Sequence, residues 1–189
     1  IITTIGAIVM PFSWRSIEHE IDKKHIQLFY TCYLLCLTGL LGIVVTGDAF
    51  NLFVFLEISS LSSYVLISLG SGRLALTAAF QYLVMGTIGA TFILIGIGLL
   101  YMMTGTLNMT DLSQRLPVNA DSRTIRVAFA FVTVGVSIKL ALFPLHLWLP
   151  NAYTYAPSVV SAFIAATATK TGIYILLRFF FTVFGISFS

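Results

Sequence analysis

Five stretches of this chain stay apolar for about 20 residues each, the length needed to cross the hydrocarbon core of a bilayer. They fall at about 26–46, 49–69, 74–103, 124–144 and 158–181. Of the 189 residues, 58% are hydrophobic and 9% are charged, whereas soluble domains carry about 25% charged residues. A soluble domain is excluded. The pattern predicts an all-α, polytopic membrane helix bundle with about five full transmembrane helices plus the end of another. The net charge of +3 does not point to nucleic acid, because the ten Lys and Arg residues are scattered and form no basic stripe.

The punctuation between the runs is legible. Residues 1–12 read as the tail of an apolar segment. Residues 13–25, SWRSIEHEIDKKH, are the most charged stretch and belong in water or headgroups. The start, IITTIGAIVMPFSW, lacks the basic leader and cleavage site of a signal peptide. With FGISFS closing the chain soon after a helix, it suggests a fragment of something larger. Asp48 sits as a helix N-cap after Gly47, and residues 70–73 form a turn. The third run would be roughly 45 Å long, so it tilts or protrudes. Gly86, Ala90, Gly96 and Gly98 within it suit close helix approach. The longest loop is 104–123, where Thr110-Asp111-Leu112 starts a short interfacial helix with Leu116 on the membrane side. Trp14 and Trp148 read as interface anchors. Cationic residues divide four against four between the two sides, so charge sets no orientation. No repeat or second domain is visible, and residues 1–189 read as a single membrane domain.

Three ionisable residues lie deep in the runs. Glu57 sits about 12 Å into its span, Lys139 about 20 Å past Arg126, and Lys170 about 18 Å past Ser158. None is near enough to an end to snorkel easily. A charge at the bilayer centre costs at least about 2.5–3.5 kcal/mol. Such residues usually face the bundle interior, pair with one another and mark an ion or proton path. The plainer alternative is a paired charge that only holds helices together. Three such residues in five spans are more than that role requires. Burial and a nearby carboxylate act oppositely on a lysine's proton affinity. Moving Glu57 towards or away from Lys139 therefore makes a switchable proton carrier. Thr133, Ser137, Thr167, Thr169 and Thr171 are spaced to hold water beside the lysines, although such hydroxyls also bond their own backbone.

Pro144 follows Lys139 by five residues and predicts a break in that helix. A broken helix in a membrane survives only where it lines protein or water, and transporters place ion sites at such breaks. An ordinary proline kink is the alternative. His146 suits either a proton relay or a satisfied interfacial histidine. Cys32 and Cys36, one helical turn apart, read as small buried hydrophobes. A metal site would need further ligands, so no metal is expected. No flavin, iron–sulfur or nucleotide motif appears, so no cofactor is expected and the chain does no redox chemistry itself.

The segments TGDAFNLFVFLEISSLSSYVLIS, GTLNMTDLSQRLP and KLALFPLHLWLPNAYTYAPSVVSAFIAATATKTGIYILLR resemble the proton-conducting subunits shared by Mrp-type cation/proton antiporters and respiratory complex I. The resemblance covers nearly the whole chain. It rests on a helix glutamate, a lysine before PLHxWLPxA and a second lysine after it. Within the family the text is most similar to the D-type subunit of the Mrp antiporter. Tyr153 and Tyr155 stand where complex I subunits tend to carry a histidine and an acid.

The resemblance implies that Glu57 pairs with Lys139, the central proton-carrying lysine, and that Lys170 passes protons towards a second half-channel. It implies that residues 13–25 and 70–73 are cytoplasmic. Family members have about fourteen helices with two inverted five-helix repeats. This chain matches the first repeat and the end of the preceding helix, so a complete transmembrane path is not expected from these residues alone. The implied function is a proton-translocating subunit of a multisubunit Na⁺/H⁺ antiporter, in a prokaryotic inner membrane, with other membrane subunits as partners. The alternative is a proton-pumping membrane-arm subunit of complex I or of a membrane-bound hydrogenase. An assembly module without transport is the third reading.

Overall fold

Every backbone polar group inside a bilayer must find its partner within the protein, and helices meet that demand. The computed structural model describes residues 1–117 and 122–185. Residues 118–121 of the long loop and 186–189 of the terminal FGISFS lie outside the described residues. The described chain is built from eight α-helices: α1 (Ile2–Glu20), α2 (Ile26–Val45), α3 (Ala49–Ser68), α4 (Arg73–Thr104), α5 (Met109–Arg115), α6 (Arg123–Leu140), α7 (Trp148–Tyr155) and α8 (Ser158–Leu177). A 3-10 turn over Lys23–His25 leads into α2, and a π-helical stretch, Arg178–Phe184, continues α8. The fold is a polytopic helical membrane bundle. Four segments are long and apolar enough to cross a membrane: Lys23–Val45, Ala49–Ser68, Arg73–Thr104 and Ser158–Phe184. The expected fourth span corresponds to α6, which has 18 residues but carries Arg123, Arg126 and Lys139, so its charge does not qualify it.

The helix ends are tied to one another. Asp48 caps α3 by accepting from the Asn51 amide at 2.8 Å, and Asn108 caps α5 by accepting from the Thr110 amide at 2.9 Å. The two caps also pair by backbone: the Ala49 amide donates to Leu107 and the Met109 amide to Gly47, each at 2.9 Å. At the opposite end, Glu20 of α1 accepts from the Ser158 amide at 2.6 Å and from its hydroxyl at 2.8 Å. This carboxylate satisfies the first turn of α8 and complements its dipole. Helix α1 also corrects an expectation. The charged stretch from Ser13 does not leave the bundle, for α1 runs on to Glu20 with Ser13 and Ile17 buried. Leu116 likewise packs in the core and does not face lipid.

Helices α4 and α6 pack backbone to backbone. A Cβ on Gly135 would stand 2.6 Å from the Gly89 carbonyl oxygen and 2.9 Å from the Ile93 amide nitrogen. Gly96 meets Val132, and Gly86 lies against the Tyr64 hydroxyl. Gly98, expected at a close approach, faces open space.

Helix α6 stops at Leu140, four residues before Pro144. Continuing it would drive the proline ring into the Leu140 carbonyl and remove a ladder donor. The sequence reading puts the break at Pro144, but regular helix is already lost at Ala141, which turns left-handed at φ 57°. The Phe143–Pro144 peptide is cis. The freed Ile138 carbonyl accepts from the Ala141 amide at 3.2 Å and from the Trp148 indole at 3.1 Å. Trp148 is therefore no interface anchor. It is 4% exposed and stacks on Tyr82 with ring centroids 4.1 Å apart. Tyr82 in turn meets Tyr64 edge-on at 4.6 Å.

Three stability outcomes follow from these contacts. Gly135→Ala is expected to cost about 1–3 kcal/mol through forced separation of α4 and α6, read as a lowered thermal midpoint in detergent. Gly98→Ala should change it by less than about 1 kcal/mol. Trp148→Phe keeps an aromatic ring but removes one of the two donors to the Ile138 carbonyl, and the same assay should register a loss of about 0.5–1.5 kcal/mol. A wild-type midpoint for Trp148→Phe would contradict the role given to the indole.

Candidate functional site

The site is built where the end of α6 brings Lys139 to Glu57 of α3. Glu57 lies about 12 Å from the start of α3 and about 17 Å from its end. Ser60 follows it by three residues and so shares its helix face. Lys139 is the penultimate residue of α6, held over that face by the helix end. Its Nζ donates to Glu57 Oε1 at 3.0 Å and to Ser60 Oγ at 2.7 Å. The Lys139 side chain is 7% exposed and that of Glu57 22%. A buried ion pair is weak evidence for stability, since desolvation offsets its attraction. A lysine held by one carboxylate and one hydroxyl can exchange partners.

A cavity of about 40 Å³ opens beside Lys139 towards α8, room for roughly three waters. Three of its five hydroxyls, those of Ser59, Ser63 and Thr171, have a common polarity. Ser59 donates to the Leu56 carbonyl at 2.9 Å, Ser63 to Ser59 at 2.8 Å and Thr171 to Thr167 at 2.9 Å. Each proton goes to the backbone and leaves lone pairs for the cavity, which therefore welcomes donors such as water or an ammonium group.

The other expected site residues lie apart from this pair. Lys170 is exposed on the described bundle, contrary to the expectation that it faces the interior. It curls back along α8, donating to the Ala165 carbonyl at 2.7 Å and to Thr169 Oγ1 at 3.3 Å. It lines a groove of about 410 Å³ with residues of α1, α2 and α8. His146 lies in the interrupted stretch after Pro144, half-buried, with its ring 5.5 Å from that of Phe143. Its buried Nδ1 finds no hydrogen-bond partner among the described residues. Cys32 and Cys36 are both buried and free, and Cys36 Sγ lies 3.4 Å from Ser63 Oγ. Sequence reasoning missed Ser60 and the cavity serines. The signal was available: Ser59, Ser60 and Ser63 all fall within seven residues of Glu57.

Residues 46–188 match the family described as NADH:quinone oxidoreductase/Mrp antiporter, TM. The chain is 53% identical over 155 residues to the N-type subunit of the NADH-quinone oxidoreductase of Desulforudis audaxviator, covering 82% of this chain and 31% of that protein. It is 35% identical over 180 residues to the D-type subunit of the Na(+)/H(+) antiporter of Bacillus subtilis, covering 95% of this chain and 36% of that one. Among solved structures, a chain of the membrane-bound sulfane sulfur reductase, an archaeal respiratory membrane complex, superposes with a TM-score of 0.86 at 34% identity. That match covers 98% of this chain and 38% of the other. The chain thus spans about a third of the length of these relatives. With the family match covering most of its length and a charged pair set between two of its helices, the chain belongs to the NADH:quinone oxidoreductase/Mrp antiporter transmembrane family.

Proposed function

We propose that this chain forms a proton-carrying half bundle within a membrane subunit of a multisubunit complex. Residues 1–189 are read as a single membrane domain corresponding to the first of two inverted repeats. The observation that carries this is the Lys139–Glu57 contact of 3.0 Å, buried within the bundle beside a cavity lined with hydroxyls. Protons pass by way of Glu57, Lys139 and Lys170, with His146 available to hand them across the interruption at Pro144. Lys139 has two acceptors, so its ammonium can leave Glu57 without being stranded, and the carboxylate's distance then sets how tightly the proton is held.

In the first reading the complex exchanges Na⁺ or another monovalent cation for H⁺ across a prokaryotic inner membrane. The match over 95% of this chain to an antiporter subunit supports it. In the second, the subunit pumps protons in the membrane arm of a respiratory oxidoreductase, which the 53% identity to an oxidoreductase subunit favours. The subunits that copurify with the full protein separate the two. Peripheral redox subunits support the oxidoreductase, and small membrane subunits alone support the antiporter.

The shared proton role has its own test. Glu57→Ala in the assembled complex should slow proton movement at least about a hundredfold. The bundle should persist, because Lys139 retains Ser60 as an acceptor. Proton uptake is followed with a pH-sensitive dye in proteoliposomes. Wild-type transport by an assembled Glu57→Ala complex would remove Glu57 from the path.

A further inference from the structure

Lys139 and Lys170 sit on opposite sides of one turn of α8. The Lys139 cavity is bounded on that side by Ala168, Thr171, Gly172 and Ile175. The Lys170 groove is bounded by Lys170 itself, Thr171 and Tyr174. Thr171 alone among them lines both spaces. It is buried, and its hydroxyl donates back to Thr167 at 2.9 Å. Along α2 the two spaces are lined by different residues, Leu40 and Ile43 on one side and Leu41, Val44 and Val45 on the other, so Thr171 is the shared wall, and α8 presses against the end of α6 here. A Cβ on Gly172 would already stand 3.3 Å from Leu140 Cδ1.

We propose that Thr171 is a hydroxyl septum: its Oγ1 is the single protein group through which a proton leaving the Lys139 cavity reaches the Lys170 groove. This rests on the proton-carrying reading above. The step conserves one proton. A cavity water protonated by Lys139 gives its proton to Thr171 Oγ1. The O–H that pointed to the Thr167 carbonyl turns and releases its own proton to a water on the groove side, which passes it to a free Lys170 amine. Lys139 is left as the neutral amine, Lys170 becomes ammonium, and Thr171 ends as it began with its hydroxyl reversed. The Thr167 carbonyl then receives the new O–H once the side chain turns back. Thr169, although bonded to Lys170, does not line the Lys139 cavity and cannot serve this role.

The chemistry makes an ordering that packing alone would not. Valine matches threonine in shape but closes the septum with a methyl group. Serine keeps the hydroxyl. Alanine leaves space for a water to take its place. In the full complex in proteoliposomes, Thr171→Val should slow proton translocation about tenfold or more, with Thr171→Ser and Thr171→Ala within about threefold of wild type. A larger solvent deuterium isotope effect should accompany the valine variant. Were Thr171 only a packing residue, valine would be the mildest change and alanine the most harmful, and that order overturns the proposal. If the valine variant does not assemble, Thr171→Cys replaces it, since a thiol is a weak donor and acceptor. Wild-type rates with cysteine and an unchanged isotope effect would also overturn it. Lys139→Ala serves as the separate control. If that variant translocates normally, the underlying proton reading fails. If it is inactive while Thr171→Val is normal, only the septum fails.

Discussion

The constraint on which this structure rests is that a bilayer offers no hydrogen bonds. Each place where the helices stop therefore needs a protein partner for the groups they leave open. Asp48 and Asn108 cap two helices and then pair through their backbones. Glu20 closes the first turn of α8 from a different helix. At the interruption after Leu140, the freed Ile138 carbonyl is met by the Trp148 indole. These ties also set the geometry of the site. Trp148 grips the residue immediately before Lys139, and its stack on Tyr82 and Tyr64 reaches the helix that carries Glu57. The lysine is held by a helix end that is itself held.

That rigidity gives the ion pair its meaning. A buried lysine–carboxylate pair adds little stability, since the cost of taking both charges out of water offsets their attraction. Membrane proteins therefore seldom keep one without a use for it. Here the surroundings favour exchange over permanence. Ser60 supplies a second acceptor at 2.7 Å, shorter than the 3.0 Å to the carboxylate. The serines beyond it have committed their protons to the backbone. An ammonium that swings away from Glu57 meets the lone pairs of Ser60 and of these serines.

What the sequence disclosed, and what it withheld, follows from the physics of each signal. A charge in an apolar run is costly wherever it points, so Glu57 and Lys139 could be singled out without coordinates, and the family resemblance supplied their pairing. Asp48 was equally clear, because N-capping depends only on neighbours along the chain. Helix faces were harder. Gly96 and Gly98 look alike in a string, but one meets Val132 and the other meets nothing. Gly135 escaped notice because its partner, Gly89, is distant in sequence. Trp148 illustrates the same limit, for a tryptophan near a span end usually belongs to the interface. Only the loss of helix at Ala141 creates the carbonyl that draws it inward. Ser13 and Ile17 were misjudged because their charged neighbours sit on the other face of a continuous helix.

Lys170 carries the remaining argument. Its expected inward orientation came from the cost of a charge in lipid, and that cost is real at its depth of about 18 Å along α8. Yet it lies on the outside of the described bundle, satisfied by the Ala165 carbonyl and Thr169 alone. An ammonium in that position cannot face hydrocarbon. The energetics that predicted burial still hold, and only the body that supplies the burial differs. On the half-bundle reading proposed above, the groove beside Lys170 is an inner surface that a second repeat or another subunit covers. The boundary between Lys139 and Lys170 would then separate two interior chambers. A septum one side chain thick at Thr171 is where passage between them would be controlled.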